Sequence, residues 1–351
     1  MEDKTMGIRS FLFGTLNGLP VPGFVLDNAK GMQAKVIAYG ARLTEMHVPD
    51  RDGRLADIVL GFDDLPSYVR HETYFGATCG RFSNRIAAGA FSLDGASIQL
   101  ERNEGGVSHL HGGRLGFDRR IWSASTDEAA NRVLFSLISM DGDQGYPGTL
   151  FASASYQLGD DGDLRIRMTA AVDKPSVVNL VHHSYWNLGG HASGSIRDHR
   201  LTIEADHYLP VDENLIPTGE VAPVSGTAFD FRGGRSIGAG LDMLAGGAFD
   251  HNWCLNGPSG RIRRRIRLTD AASGRGLDVA TDQPGVQFYA SGALPLDGPF
   301  GKSGARYVPF DAVVLETQTF PNAPNVGHFP SARLTPGALY DHNMNFHFFA
   351  E

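Results

Sequence analysis

The sequence predicts an all-β fold, a large antiparallel β-sandwich with few short helices. Three observations carry this reading. Short runs alternate apolar and polar residues and are rich in β-branched and aromatic types, the period-2 signature of half-buried strands. Turn signals separate these runs, and the 44 glycines and 18 prolines are spread along all 351 residues rather than pooled in a linker. No long stretch carries an apolar period of 3.6 residues.

Along the chain, "AKVIAYGARLTEMHV" (34–48) alternates and ends at the turn "PDRDG" (49–53). "FDDLPSYV" (62–69) has room for one helical turn. "FASASYQL" (151–158) and "DLRIRMTAAV" (163–172) read as strands joined through "GDDGD", and "VDEN" (211–214) marks a further turn. "HRLTIEA" (199–205) and "GVQFYASG" (285–292) are strand-like, with the turn "AASGRG" (271–276) between them. The basic run "RIRRRIRL" (261–268) alternates arginine with apolar residues and predicts a strand with a solvated charged face. There is no clear internal repeat. The expectation is a single domain over 1–351, with its core at about 30–350 and the N-terminal residues outside it, disordered.

Composition narrows the function classes. Hydrophobic residues make up 42% and charged residues 20%, enough for a substantial core. The net charge of −8 supplies no basic surplus to neutralise phosphates, so no nucleic-acid partner is expected. Cys79 and Cys254 are too few for a disulfide framework or a structural zinc site. No secretory leader or membrane-length apolar run is visible, so the expected location is cytoplasmic, away from membranes.

Polar residues inside apolar runs point to chemistry, because burying them is costly unless they are partnered. "VVNLVHHSYWNLGG" (177–190) reads as a strand. One face would carry Val178, Leu180, His182, Ser184, Trp186 and Leu188, and the other Asn179, Val181, His183, Tyr185 and Asn187. The first face reads as core. The second presents His183 beside Tyr185, a pair suited to a polyhydroxylated ligand. In "DAVVLETQTFPNAPN" (311–325), Glu316 interrupts an apolar strand and needs either a partner or a task. His109 and His111 in "GVSHLHGGRLGFDRRIW" have the spacing of a metal pair. Leu115 and Gly116 stand where such a site would need an acid, so no metal is expected. Arg81 and Arg85 flank a turn in "CGRFSNRIAAGAF" and read as ion-pair anchors or ligand clamps. Asp250 and His251 open a strand in "FDHNWCL", and Gln287 and Tyr289 share a face in "QPGVQFYASG". No nucleophile elbow, phosphate loop, zinc helix or dinucleotide fingerprint is present. One candidate base and one or two candidate acids remain, among hydroxyl binders. That set suits proton transfer on a neutral, hydroxyl-rich substrate.

At these residues the chain resembles the galactose mutarotase (aldose 1-epimerase) family. The resemblance rests on "GRFSNRIAAGAF", "HLHGGRLGFDRRIW", "DGDQGYPG", "NLVHHSYWNL", "LPVDENLIPTGE", "FDHN", "PGVQFYASG" and "LETQTFPNAPN…FPSARLTPG", in order from about residue 30 to the end. It implies the supersandwich of that family, no metal or organic cofactor, and interconversion of the α and β anomers of free aldoses such as glucose and galactose. It implies Glu316 as general base and His183 as general acid. Asn84, Arg85, His111, Tyr185, Asp250 and Gln287 are implied as parts of the sugar pocket, with Arg81 left structural. The implied partner is a monosaccharide, and the assembly a monomer or homodimer. The family commonly has "NHSYFNL" and "ANRI"; here His182, Trp186 and Ser83 depart from it. By strand facing, His182 and Trp186 are expected to repack the core rather than touch the sugar.

Mutarotation requires a base on the C1 hydroxyl and an acid on the ring oxygen. An ionised Glu and a protonated His suit this, with unperturbed values of about 4.3 and about 6.5. A neighbouring carboxylate is expected to raise the histidine's value. Two alternatives stand beside this reading: an epimerase of hexose 6-phosphates, which would want several cations around the phosphate, and a non-catalytic carbohydrate-binding protein.

Overall fold

The computed structural model describes residues 7–244, 247–295 and 300–351. Three antiparallel sheets dominate. The first is a five-stranded meander in chain order: Ile8–Leu16, Leu19–Asp27, Gln33–Ile37, Arg42–Pro49 and Leu55–Asp57. The packed structure therefore begins well before residue 30, the expected start of the core. Residues 8–27 form a hairpin that turns at Asn17 and Gly18, both with positive φ. The first six residues, expected to be disordered, lie outside the described residues.

The second sheet has nine strands, and its order is not the chain order. The C-terminal strand Tyr340–Ala350 inserts between Asp163–Val172 and Arg275–Thr281. Arg263–Thr269 follows, with Ile266 and Leu268 buried while Arg264 and Arg267 pair with Asp278 and Arg265 with Glu204. The solvated charged face expected of this basic run is present.

The third sheet has six strands in the order Tyr185–Trp186, Val313–Gln318, Gly285–Tyr289, Asp250–Cys254, His207–Leu209 and Ala222–Pro223. One of its faces is apolar: Trp186, Leu315, Phe288 and Trp253 are each at most 1% exposed and belong to the main core. Because side chains alternate across a strand, the other face is free to be polar. Helix is sparse. Leu65–Arg70 forms the expected turn, with Asp64 capping it by accepting from Ser67 N. Ile237–Leu241 forms another short helix.

The stretch 177–190 is not one continuous strand. It breaks into Ser176–Val177, Val181–His183 and Tyr185–Trp186, which pair with three different partners. The split of faces still holds from 182 to 186. Asn179 and Asn187 do not join the polar row: Asn179 holds Ser83 O, and Asn187 holds Gly194 O and Asp311 O.

Candidate active site

The polar face of the six-stranded sheet builds the floor of a cleft. Asn252, Gln287 and Glu316 lie opposite one another across three strands. Asp250, Tyr289, Val314 and Tyr185 form the next row on the same face. Val181–His183, paired with Ala77–Cys79, delivers His183 to the edge of this floor. The cleft has a volume of about 390 Å³ and is lined by Asn84, Arg85, His111, His183, Tyr185, Asp250 and Glu316, among others.

At its base, His183 Nε2 lies 3.5 Å from Glu316 Oε1. The residues are 4% and 2% exposed, and His183 Nδ1 and Glu316 Oε2 have no hydrogen-bond partner among the described residues. Burial dominates both ionisations. It raises Glu316 well above the usual carboxylate range, with Asp250 adding to the effect. It lowers His183 to about 4. Burial thus works against the charged Glu–His couple that the sequence leads one to expect. The more a carboxyl is held in its neutral form by desolvation, the less it pulls on the imidazole.

His183 stacks on Tyr185 with ring centroids 5.3 Å apart and meets His111 edge-on at 5.1 Å. His111 has φ 49, and the adjacent Gly112 has φ 87. A Cβ on Gly112 would stand 1.8 Å from Gly80 O, so only glycine permits this close turn. Asn84 fixes His111: its N–H donates to Nδ1 at 3.2 Å, leaving Nε2 to carry the proton of the neutral ring. Burial lowers His111 well below an ordinary histidine, and the nearby His183 and Arg85 add to this.

Arg85 donates through Nη1 to Asp250 Oδ2 at 3.4 Å. Gln287 Nε2 donates to Asp250 Oδ1 at 2.7 Å, and its own oxygen accepts from Gln318. Gln287 is not among the residues lining the cleft, and it reaches the cleft through Asp250. The other expected site residues converge on the cleft. Arg81 is buried and donates to Ser139 and to the carbonyls of Pro147 and Gly148, a structural anchor as expected. His109 sits outside the cleft, against Glu101 O and Tyr146 Oη.

Among the cleft residues that escape sequence reasoning, two contact the expected site residues directly. Tyr74, with φ 55, packs its ring on His111 at 4.7 Å and His183 at 5.6 Å. Glu104 grips Arg85. Nothing in their local sequence distinguishes a loop aromatic or a loop acid from a surface residue. A metal ion could bridge ligand atoms of His111, His183 and Glu316, which lie within 4.8 Å of one another, or those of Glu45, His47 and Asp57. In the second group Lys35 already neutralises Glu45, and Lys302 neutralises Asp57.

His182 and Trp186 face away from the cleft. His182 contacts Tyr156 and Ser184, and Trp186 packs on Phe346 and Phe348. Their expected role in core packing matches this placement.

Fold and site together define a large β-sandwich with an acid–base cleft suited to polyhydroxylated ligands. The family model described as "Aldose 1-epimerase" matches residues 22–347. The galactose mutarotases of Bos taurus and Homo sapiens are each 48% identical over 318 residues, covering 90% of this chain and 91% of theirs. The aldose 1-epimerase of Escherichia coli (strain K12) is 35% identical over 95% of this chain and 97% of its own. Among solved structures, the GalM/aldose epimerase homologue from C. elegans superposes with a TM-score of 0.86 at 31% identity, covering 93% of this chain and 98% of that one. The chain belongs to the aldose 1-epimerase family.

Proposed function

We propose that this protein interconverts the α and β anomers of free aldoses by acid–base ring opening, with Glu316 as base and His183 as acid. The observation that carries the assignment of roles is the buried pair itself, 3.5 Å apart with an unpartnered polar atom on each side chain. Buried polar atoms left unpaired are costly, and a sugar hydroxyl and ring oxygen would satisfy them.

Burial favours the uncharged form of each member, so a proton shared by the pair rests on Glu316. Hydroxyls of a bound sugar donate to Glu316 and favour its ionised form, so the proton moves to His183. Glu316 then takes the C1 hydroxyl proton as His183 protonates the ring oxygen. The C1–O5 bond breaks, the aldehyde forms, and the C1–C2 bond rotates. Closure on the other face returns both protons. His111, Arg85 and Asp250 hold the remaining hydroxyls, which contributes by orientation as much as the proton transfers do. Tyr185, stacked on His183, fixes the plane of the acid.

The substrate is a small neutral sugar, galactose among the candidates. Among the described residues no helix is long and apolar enough to cross a membrane. Polarimetry of fresh α-anomers of galactose, glucose, xylose and arabinose tests the reading. Acceleration over the spontaneous rate supports it, and its absence with every sugar refutes it.

A further inference from the structure

The loop 103–108, "NEGGVS", is built to bring one carboxylate to Arg85. Gly105 and Gly106 have φ of 57 and 71, and Val107 N and Ser108 N both return to Glu104 O. Asn103 clamps the loop to Leu110 in both directions, through Nδ2 to its carbonyl and Oδ1 from its N–H. The result is a bidentate fork: Arg85 Nε donates to Glu104 Oε2 at 2.8 Å and Nη2 to Oε1 at 2.7 Å. Ser108 Oγ donates to the same carboxylate, and Asp250 takes the third guanidinium position.

Among the described residues Arg85 is the only arginine or lysine lining the cleft, and both its edges are occupied by carboxylates. Glu72, Glu104, Asp250 and Glu316 line the same cleft. Beyond Tyr74 and Leu110 it adjoins a second cavity of about 350 Å³, whose cations are also engaged: Arg119 with Glu72 and Arg114 with Glu101. A sugar bearing a carboxylate or phosphate would meet acids, with no free cation among the described residues to receive it.

We infer that Glu104 is a specificity-determining residue that commits Arg85 in advance and restricts the cleft to uncharged sugars, excluding hexuronates and sugar phosphates. This rests on the proposed sugar site. The physical basis is discrimination by repulsion: a like charge placed against the wrong ligand selects without improving binding of the right one. A bidentate Arg–carboxylate pair also has a fixed orientation, so the committed guanidinium does not swing out to an anion.

The test compares galactose with galacturonate. Equilibrium binding and kcat/KM are measured for wild type, Glu104→Gln and Glu104→Ala. Wild type is expected to favour galactose strongly. Glu104→Gln, which keeps the shape of the side chain and loses its charge, should narrow the galactose-to-galacturonate ratio by about ten-fold or more. Glu104→Ala should narrow it in the same direction, and added salt should narrow it in wild type. An unchanged ratio in both variants, or equal use of the two sugars by wild type, overturns the inference. If neither sugar anomerises faster than spontaneously, the epimerase reading fails. The binding ratio still decides the role of Glu104.

Discussion

His183 Nε2 and Glu316 Oε1 stand 3.5 Å apart at the floor of the cleft, and each side chain keeps a buried polar atom without a partner. Three neighbouring strands of one sheet hold the Glu316 side of this relationship. The Tyr74 and His111 rings hold the His183 side. A pair held this way titrates as a unit rather than as two independent groups.

The first prediction concerns the pH dependence of the rate. Burial lowers His183 to about 4 and raises Glu316, which widens the pH range over which the pair holds a single proton. The value of kcat/KM, which reports the free protein, should hold steady while the pair keeps its single proton, fall on an acid limb near 4, and fall again on a basic limb where Glu316 loses that proton. Initial rates of anomerisation across the pH range check this. An acid limb near 6.5, the value of a solvated histidine, would contradict it.

Stability should carry its own acid signature from two buried histidines that touch no ligand. His182 is lowered to about 3 and His342 to about 4, both by desolvation. Below about 6.5 the unfolded chain takes up these protons and the folded chain does not, so stability falls as pH drops through that window. His182→Asn, which restores the family's usual residue, should flatten the fall by roughly one proton. Urea midpoints measured at several pH values would show it. An unchanged slope would mean that His182 is not the group responsible.

Gln287 should behave as a positioning residue. It holds Asp250 through a 2.7 Å hydrogen bond and does not line the cleft. Gln287→Ala is expected to raise KM several-fold by loosening Asp250, with a smaller effect on kcat, a loss on the order of 1 kcal/mol. Steady-state kinetics separate the two terms. A loss confined to kcat would place Gln287 nearer the chemistry than its geometry allows.

Trp186 should affect stability and not substrate choice. It is fully buried against Phe346 and Phe348 on the core side of the sheet. Trp186→Phe restores the family's common residue and leaves a cavity costing about 1–3 kcal/mol. Thermal melts measure the cost, and the ranking of aldoses should be unchanged. A changed ranking would tie this core position to the cleft.

Much of this site was legible because buried polarity is conspicuous. Glu316 interrupts "AVVL", and His183 and Tyr185 interrupt a similar run, so alternation alone places them on a face opposite the core. The facing of His182 and Trp186 followed from the same rule. Other features left no local trace. The insertion of Tyr340–Ala350 into the middle of the nine-stranded sheet is a non-local pairing that periodicity does not encode. Tyr74 and Glu104 lie in loops, where an aromatic or an acid looks like any surface residue. The early start of the fold leaves a local signal, the hairpin dipeptide Asn17-Gly18 between Ile8–Leu16 and Leu19–Asp27. Burial, which sequence does not measure, opposes the charged forms of both His183 and Glu316 and so is invisible to a reading of the residues alone.

The measurement that bears most directly on the account is polarimetry of fresh α-galactose with wild type and Glu316→Gln. Wild type should speed the approach to equilibrium rotation. The variant, whose amide accepts no proton from the C1 hydroxyl, should lose about 100- to 10,000-fold of that acceleration while keeping the wild-type fold by circular dichroism. A folded Glu316→Gln variant that anomerises galactose at the wild-type rate would contradict the central claim.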